Sequence, residues 1–382
     1  MSTKFEIKKK IHLVPTQMGG ARLLSLDFMR GLIMFLLALE ACELYVHIRR
    51  STTNHDGFGF QIIRQFFHNR WQGLHFWDLV QPAFMFMAGI AMAYSLTKQI
   101  EKGISWKERF VKILKRSGWL LFWGLFKRIS SPDWFALDAL DVTDILTQLA
   151  FVSIIAFLLF NLSIRNLIVS CIAILLLTEC LYRFWNVPGY DQGYTDGKNF
   201  GNWVDWILFR RQSSGYVFIN WLPTAVHTVA GVIVGKIFLK NINPIKILLG
   251  AALGILLIGY GLDKTNITPI IKPIATSSFV LASLGYCLLM VTVFYWWIDV
   301  RKYRRGLLFF QVLGMNSIFI YLFFDIVGRL WLNEYTLMVV SPVFQVFNLG
   351  QPATLVLASL CTFAVEWLIC YFLYKKKIFF KL

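Results

Sequence analysis

Apolar residues along the chain gather into long runs that short polar connections separate. A helix that crosses a bilayer needs about 20 mostly apolar residues, and about ten runs approach this length. We place the spans at 23–46, 76–97, 112–130, 143–161, 165–184, 221–239, 246–262, 275–298, 308–329 and 353–374. The pattern therefore predicts an all-α fold, a polytopic integral membrane helical bundle with about ten transmembrane helices.

The positions of these apolar runs divide the chain into two regions and, with the charges between them, predict its orientation in the membrane. Residues 1–21 are polar and basic, and we expect them to form a cytoplasmic N-terminal segment ahead of one transmembrane domain, residues 22–382. Lysine and arginine are more frequent in the short connections on the side of the chain termini, and such loops stay in the cytoplasm. An even number of spans returns the chain to its starting side, so we expect both termini in the cytoplasm.

Composition agrees with this class and excludes others. Hydrophobic residues make up 57% of the chain and charged residues 15%, whereas soluble domains carry about 25% charged residues. A net charge of +17 suggests nucleic acid as a partner of a soluble protein. Here the basic residues lie mainly between apolar runs, so we expect membrane lipid and no nucleic acid as a partner. The six cysteines lie within apolar stretches, which predicts core residues rather than disulfides.

Ionisable side chains inside the predicted spans are candidates for a functional site, because burying a charge in a bilayer is costly. They are Asp27, Arg30, Glu40 and Glu43 in the first span, Asp78 in the second, Asp325 in the ninth and Glu366 in the tenth. Asp27 and Arg30 lie three residues apart on one helix face, so a structural ion pair is an alternative to a functional role.

The densest group of candidate side chains lies where a long outer loop enters the second span. It contains the imidazole of His68, the indoles of Trp71 and Trp77, and the carboxylate of Asp78. An imidazole accepts a proton near neutral pH, a carboxylate can orient it, and an indole can stack on a sugar ring. The same residues also fit an aromatic belt at the membrane interface.

Sequence patterns for other chemistries do not accompany this group. His68 and His75 are seven residues apart, and neither an HExxH pattern nor a cysteine pair occurs with them, so we predict no metal site. A glycine-rich phosphate loop and a serine nucleophile elbow do not occur either. The segment that begins at His68 is therefore the main candidate for chemistry.

Five short motifs occur in order along nearly the whole chain, from Arg22 to the last residue. They are Ser25-Leu-Asp27-Phe-Met-Arg30-Gly31, His68-x-x-Trp71-x-Gly73-Leu74-x-x-x-Asp78-Leu79-Val80-x-Pro82, Arg116-Ser117, Gly314-Met315-Asn316-Ser317 with Tyr321, and Leu373-Tyr374-Lys-Lys-Lys-Ile-Phe-Phe-Lys-Leu382. Together they resemble the heparan-alpha-glucosaminide N-acetyltransferase family and its bacterial relatives among the transmembrane acyltransferases. One motif alone is a weak signal, whereas five in order form a specific one.

The resemblance implies an enzyme that moves acetyl from cytoplasmic acetyl-CoA to the amine of a terminal, glucosamine-like amino sugar on the extracytoplasmic side. Acetyl-CoA is then a co-substrate and an amino sugar or glycan the acceptor; a homodimer is compatible with the sequence. Animal members carry a large non-cytoplasmic domain that this chain lacks, so we expect a bacterial plasma (inner) membrane protein. They also carry an arginine where residues 141–148 have Asp141 and Asp144, which bears on the acceptor.

The residues that match the family's motifs take expected roles. The family's proposed catalytic histidine matches His68, which we predict to be the general base for the sugar amine. Asp78 or Glu40 would orient the imidazole or bind the ammonium, and Asn316 would donate a hydrogen bond to the oxyanion or an amide. The substrate-binding set is Glu40, Trp71, Trp77 and Asn316. The cofactor-binding set is Arg30, Arg116, Asp27 and Ser317, with the two arginines on CoA phosphates.

Three alternatives remain open at this point. A covalent acetyl-imidazole on His68 competes with general base catalysis. The acceptor can be a hydroxyl of a surface polysaccharide rather than an amine, which makes the enzyme an O-acetyltransferase. A proton-coupled transporter would use the buried carboxylates as a relay, but the sequence shows no paired broken helices in corresponding halves, which argues against a transporter.

Overall fold

The computed structural model describes residues 23–52, 56–129, 143–210, 215–240 and 243–380. Within these ranges the chain forms helices and no β-strand, which confirms the all-α prediction. The predicted N-terminal segment 1–21 and Asp141 lie outside the described residues. The division of the chain into these two regions stays a prediction.

The α-helices of the described ranges are numbered in chain order. They are α1 (Leu24–Ala41), α2 (Leu44–Ser51), α3 (Phe58–Arg64), α4 (Val80–Glu101), α5 (Trp106–Ile129), α6 (Ile145–Leu159), α7 (Ile164–Phe184), α8 (Phe200–Phe209), α9 (Trp221–Leu239), α10 (Ile245–Lys264), α11 (Ser277–Phe294), α12 (Leu307–Met315), α13 (Ser317–Phe323), α14 (Asn333–Val346) and α15 (Gln351–Lys375). Short 3₁₀ turns, Phe76–Leu79 and Phe218–Asn220, precede α4 and α9. Segments of π-helix, Tyr295–Val300 and Phe324–Leu332, extend α11 and α13.

Fewer helices than predicted qualify as membrane spans. Among the described residues, six helices are long and apolar enough by themselves: Phe76–Glu101, Ile164–Phe184, Phe218–Leu239, Ile245–Lys264, Ser277–Val300 and Gln351–Lys375. Two bent helix pairs raise the count to eight if each pair is one span. The prediction of about ten spans is therefore not confirmed, although the apolar helices do identify a membrane protein.

Two of the predicted spans fall short for different reasons. Helix α6 has 15 residues, which is about 22 Å at 1.5 Å per residue, and the hydrocarbon core is about 30 Å thick. Helix α5 has 24 residues, but lysines and arginines are frequent along its first half. A helix with this many charges is poorly suited to face lipid on all sides.

Two other predicted spans are broken within the membrane bundle. The first turns through 58° between α1 and α2, where Glu43 adopts a left-handed conformation with a φ of 59°. The ninth turns through 77° after α12, where Asn316 leaves the helical region with a φ of −119°. The two bends lie in the first and ninth predicted spans, which are not corresponding positions of two five-span halves, so the absence of paired broken helices in corresponding halves stays a prediction. Neither break is at a glycine or a proline, so the sequence gives no local signal for it.

Helices α4 and α9 pack closely through small residues at the centre of the bundle. The spacing of Gly89 and Ala93 in α4, and of Gly231 and Gly235 in α9, predicts such a contact. A Cβ added to Gly89 would collide with the backbone oxygen of Thr228, and one added to Gly235 with the side chain of Ala93. The prediction is confirmed, and the contact fixes α4, whose N-terminal approach carries His68 and Asp78.

Candidate active site

The segment between α3 and α4 brings His68 and Asp78 together. Oδ2 of Asp78 accepts hydrogen bonds from the backbone N–H groups of Asn69 (3.3 Å) and His75 (2.9 Å), which folds the segment back on itself. Oδ1 of Asp78 lies 2.8 Å from Nδ1 of His68. The Asp78 carboxylate is fully buried, so it holds the imidazole in one orientation.

Lys272 lies against the same pair, although no motif in the sequence indicates it. Its Nζ atom is 3.0 Å from Nδ1 of His68 and 3.4 Å from Oδ1 of Asp78. It belongs to the connection between α10 and α11. The backbone N–H of Gly73 donates to the carbonyl of Ile270 at 2.8 Å, which ties this connection to the His68 segment.

Tyr216 completes this group, which we call the His68 wall: His68, Asp78, Lys272 and Tyr216. The Tyr216 and His68 ring centroids are 6.4 Å apart in an edge-on arrangement. Nζ of Lys272 lies 5.7 Å from the centroid of the Tyr216 ring. The side chain of His68 is 47% exposed, whereas that of Asp78 is inaccessible, so the imidazole is the member of the pair that a ligand can reach.

A cavity of about 630 Å³ lies beside the His68 wall, and we call it the central cavity. His68, Tyr216 and Lys272 line it together with residues of α1, α5, the start of α6 and the second π-helical segment. Its volume falls in the range of about 300–1,000 Å³ that is usual for small-molecule sites. With Nδ1 directed at Asp78, the other ring nitrogen, Nε2, is free to take a proton from a ligand.

Five charged side chains form another part of the cavity wall, and we call them the charged wall. Nζ of Lys127 lies 3.0 Å from Oδ2 of Asp144 and 2.5 Å from Oδ2 of Asp325. Arg329 contacts Asp325 at 3.1 Å and Glu40 at 3.4 Å. Three carboxylates thus accompany two cations among these five residues, which favours a ligand that brings positive charge.

Local backbone structure explains why Asp325 and Arg329 share the charged wall. Both belong to the π-helical segment Phe324–Leu332, and they form an i,i+4 ion pair there. Short π-helical segments within longer helices are frequent at functional sites. The hydroxyl of Tyr321, one turn earlier, donates to Asp144 at 3.0 Å and accepts from Lys127 at 2.8 Å. The wall is therefore a connected polar network.

A second cavity, of about 650 Å³, lies along the first half of α5, and we call it the basic cavity. Basic residues contribute to its lining: Arg109, Lys112, Lys115 and Arg116. The side chain of Arg109 is 8% exposed, and its Nε and Nη1 atoms have no hydrogen-bond partner among the described residues. Oε1 of Gln99, in the same lining, has none either. A buried guanidinium without an acceptor is costly, so this cavity is suited to an anion.

Helix α5 contributes residues to the linings of both cavities. Arg116 lines the basic cavity and Lys127 the central cavity. They are eleven residues apart, which corresponds to about 16 Å along the helix axis. One helix therefore sets the distance between these two parts of the cavity linings.

The comparison with known families now decides the class of the protein. The family described as "Heparan-alpha-glucosaminide N-acetyltransferase, catalytic" matches residues 22–259, which is more than half of the chain. The chain belongs to this family. No curated protein matches the chain. Family membership and the apolar helices together make the protein a membrane acyltransferase, of a family whose members use acetyl-CoA as a co-substrate.

The family match covers only part of the two cavities. It includes His68 and Asp78 and the whole of α5, which contributes to both cavities. It ends before Lys272, Asp325 and Arg329. The central cavity therefore combines residues of the matched region with residues that follow it.

The structure places the predicted substrate-binding residues in different locations. Glu40 and Trp77 line the central cavity with His68. The indole N–H of Trp71 instead donates to the carbonyl of Tyr194 at 2.9 Å, where Trp71 packs among aromatic residues of the α7–α8 connection. Trp71 therefore holds a neighbouring loop in place and is not part of the cavity lining.

Asn316 also lies away from the central cavity, so its predicted contact with the oxyanion is not supported. Its amide nitrogen donates to the carbonyl of Ile378 at 2.9 Å, and its amide oxygen accepts from the backbone N–H of Phe380 at 2.9 Å. The side chain is 1% exposed. Both ends of the amide are used to hold the C-terminal tail.

The predicted cofactor-binding residues also lie in different parts of the structure, and not all of them line the basic cavity. Arg116 lines the basic cavity. The positive charge of Arg30 is close enough to repel that of Arg116. Asp27 lies where α1 packs against α12, with its carbonyl close to Gly314. Neither Asp27 nor Ser317 is among the described residues that line the basic cavity. Arg109 is outside the predicted set, yet its buried Nε and Nη1 atoms have no hydrogen-bond partner among the described residues.

Metal ligands are not grouped in the described part of the chain. No set of three or more histidine, cysteine, aspartate or glutamate side chains there has an arrangement that could hold a metal ion. The prediction of a metal-free site stays a prediction.

Proposed function

We propose that the protein transfers acetyl from acetyl-CoA, taken up from the cytoplasm, to the amine of an amino sugar on the extracytoplasmic side. The observation that carries this proposal is the central cavity, in which a histidine oriented by a buried carboxylate faces the same space as the charged wall. An amine acceptor needs both a base and negative charge, because it arrives as an ammonium ion. A hydroxyl acceptor needs only the base.

Purified protein with labelled acetyl-CoA tests this acceptor class. The acceptors are amino sugars and the matching sugars that carry a hydroxyl in place of the amine. We expect label on the amino sugars alone. Transfer to the hydroxyl analogues instead would make the protein an O-acetyltransferase and contradict the proposal.

The geometry supports a direct transfer within the central cavity. Nε2 of His68 takes a proton from the amine as it attacks the thioester carbonyl, and then gives a proton to the departing thiolate. The tetrahedral intermediate needs a hydrogen-bond donor for its oxyanion. We assign this role to the hydroxyl of Tyr216, whose ring flanks both His68 and Lys272 in the cavity lining.

The basic cavity is the proposed site for the CoA phosphates, and Arg109 provides the test. Arg109→Met should weaken acetyl-CoA binding by about 1.5–3 kcal/mol, the worth of a hydrogen bond to a charged group. Lys107→Met is the matched control, since Lys107 is exposed on the same helix. Isothermal titration calorimetry on protein in nanodiscs measures both affinities. Equal affinities for the two variants would remove the basic cavity from the proposal.

The proposed sidedness predicts opposite accessibility for two exposed positions. Lys102 follows α4 in a basic connection, and Asp191 lies between α7 and α8. In a variant with Cys180→Ser, which removes an exposed native thiol, an impermeant thiol reagent should label Asp191→Cys in intact cells. Lys102→Cys should react with this reagent only after the membrane is permeabilised. Labelling of both positions from one side of the membrane would contradict the proposed topology, in which both termini of a bacterial plasma membrane protein are cytoplasmic.

A transporter is the second candidate, because the two broken helices are a feature of many transporter folds. The two functions differ in their need for CoA. A transporter of small solutes should not bind acetyl-CoA, so absence of binding to the wild-type protein in the same calorimetry would favour transport.

A further inference from the structure

The two lysines of the central cavity differ in how their charge is satisfied. Lys127 contacts the carboxylates of Asp144 and Asp325 and the hydroxyl of Tyr321, so three acceptors are available to one ammonium group. The contact of Lys272 with a carboxylate is longer, at 3.4 Å to Asp78. The charge of Lys127 is therefore fixed by its contacts, and that of Lys272 is not.

The carboxylate beside Lys272 is already shared. Oδ1 of Asp78 lies 2.8 Å from Nδ1 of His68, and Oδ2 accepts from two backbone N–H groups. The ionisable groups that face Lys272 are Asp78 and His68 from the segment before α4, Tyr216 from the connection before α9, and the more distant Glu40 from α1. Among the described residues, one full negative charge is thus in direct contact with the Lys272 side chain, which is 4% exposed.

Burial dominates the protonation of this lysine. Loss of solvation lowers the pKa of Lys272 to about 8, although the charges of Asp78 and Glu40 act in the opposite direction. A lysine with a pKa near 8 exists partly as the free amine at neutral pH. Such lysines act as proton acceptors in enzymes.

Acetylation of an amine requires a second proton acceptor. An acceptor that arrives as an ammonium ion loses two protons before it becomes an amide. One of them ends on the sulfur of the departing CoA. Nε2 of His68 can hold one proton at a time, so the other proton needs a different group.

We propose that Lys272 is this second proton acceptor, an inference that rests on the proposed function. As Nε2 of His68 takes a proton from the ammonium, Nδ1 gives its own proton to the neutral Nζ of Lys272, 3.0 Å away. The imidazole stays neutral. The free amine then attacks the thioester carbonyl and the C–S bond breaks. Nε2 gives the proton that it already holds to the departing thiolate and takes the remaining proton of the attacking nitrogen. The products are the amide, the CoA thiol and a charged Lys272. Lys272 then returns a proton to Nδ1 of His68 while Nε2 releases its proton to solvent, which restores the starting state.

A purely structural role for Lys272 makes a different prediction. If Lys272 only neutralises Asp78, arginine at this position should restore the function, because arginine keeps the positive charge. A guanidinium does not lose its proton in proteins, so it cannot act as the acceptor. Arginine therefore separates the two roles, and methionine shows the effect of losing both.

The experiment compares wild type, Lys272→Arg and Lys272→Met with a series of primary amines of decreasing basicity. Lys264→Arg is the control, since Lys264 is exposed at the end of α10. With amines that are ammonium ions at the assay pH, Lys272→Arg should lower kcat by about 10²-fold or more, the worth of general base catalysis. With alkoxyamines, which are neutral at that pH, the loss should be much smaller.

The possible results distinguish a proton-accepting Lys272 from a structural one, and both from a failure of the proposed function. A loss that shrinks as the amine becomes less basic, with acetyl-CoA affinity retained, supports the proposal. The same loss for every acceptor, or full activity of Lys272→Arg, overturns it and leaves Lys272 a structural role. A wild-type protein that binds acetyl-CoA but acetylates no amine overturns the proposed function itself, and this inference with it.

Discussion

Replacing His68 with alanine is expected to lower turnover by about 10²–10⁴-fold, because general base catalysis contributes that much. Binding of acetyl-CoA should be retained, since the basic cavity is formed by other residues. Single-turnover assays with an amino sugar measure the first effect and calorimetry the second. His47→Asn is a suitable control, because His47 contacts Ser359 at 2.9 Å and does not line the central cavity.

Labelling of the wild-type protein separates the two mechanisms that involve His68. If the acetyl group passes through the imidazole, wild-type protein incubated with labelled acetyl-CoA and no acceptor should carry label on His68, which peptide mass spectrometry detects. Near-normal turnover of His68→Ala would contradict both mechanisms. His227 could not take over, because it is fully buried between α9 and α11, with Nε2 2.8 Å from the hydroxyl of Ser283.

Asp78→Asn is expected to lower turnover by up to about 10⁴-fold, the loss that follows when an orienting carboxylate beside a catalytic histidine becomes an amide. The Asp78 carboxylate accepts from His68 Nδ1 and from two backbone N–H groups at once. An amide has one oxygen, so at least one of these donors would face its NH₂ group. The imidazole would then lose its orientation or its tautomer.

Steady-state kinetics with the same amino sugar measures this effect, and thermal unfolding shows whether the fold persists. Asp191→Asn is the matched control, because Asp191 is exposed between α7 and α8. Turnover of Asp78→Asn within about threefold of wild type would mean that the buried carboxylate organises the loop and does not assist His68.

The sequence predicts the core of the site because that core is local. His68 and Asp78 are ten residues apart in one segment, so residue types alone indicate that they can meet. Lys272 is 204 positions from His68, and only the packing of the α10–α11 connection brings it there. As a lysine in a short polar connection, it looked like a signal for membrane topology.

The helix breaks and the basic cavity also depend on contacts between distant parts of the chain, so the sequence alone does not predict them. Hydrophobic periodicity predicts where helices lie, but the bends at Glu43 and Asn316 depend on tertiary contacts. Except for Arg116, which a family motif indicated, the cations at the start of α5 resembled a topology signal. For Arg109, it is burial without an acceptor for Nε and Nη1 that indicates a ligand.

The anchoring of the C-terminal tail has a practical consequence for purification. Asn316 holds Ile378 and Phe380, and Phe380 also lines the basic cavity and packs against Trp123, with ring centroids 6.3 Å apart. An affinity tag fused after Leu382 would begin two residues beyond Phe380, which lines the basic cavity. Removal of such a tag before any assay of donor binding is therefore advisable.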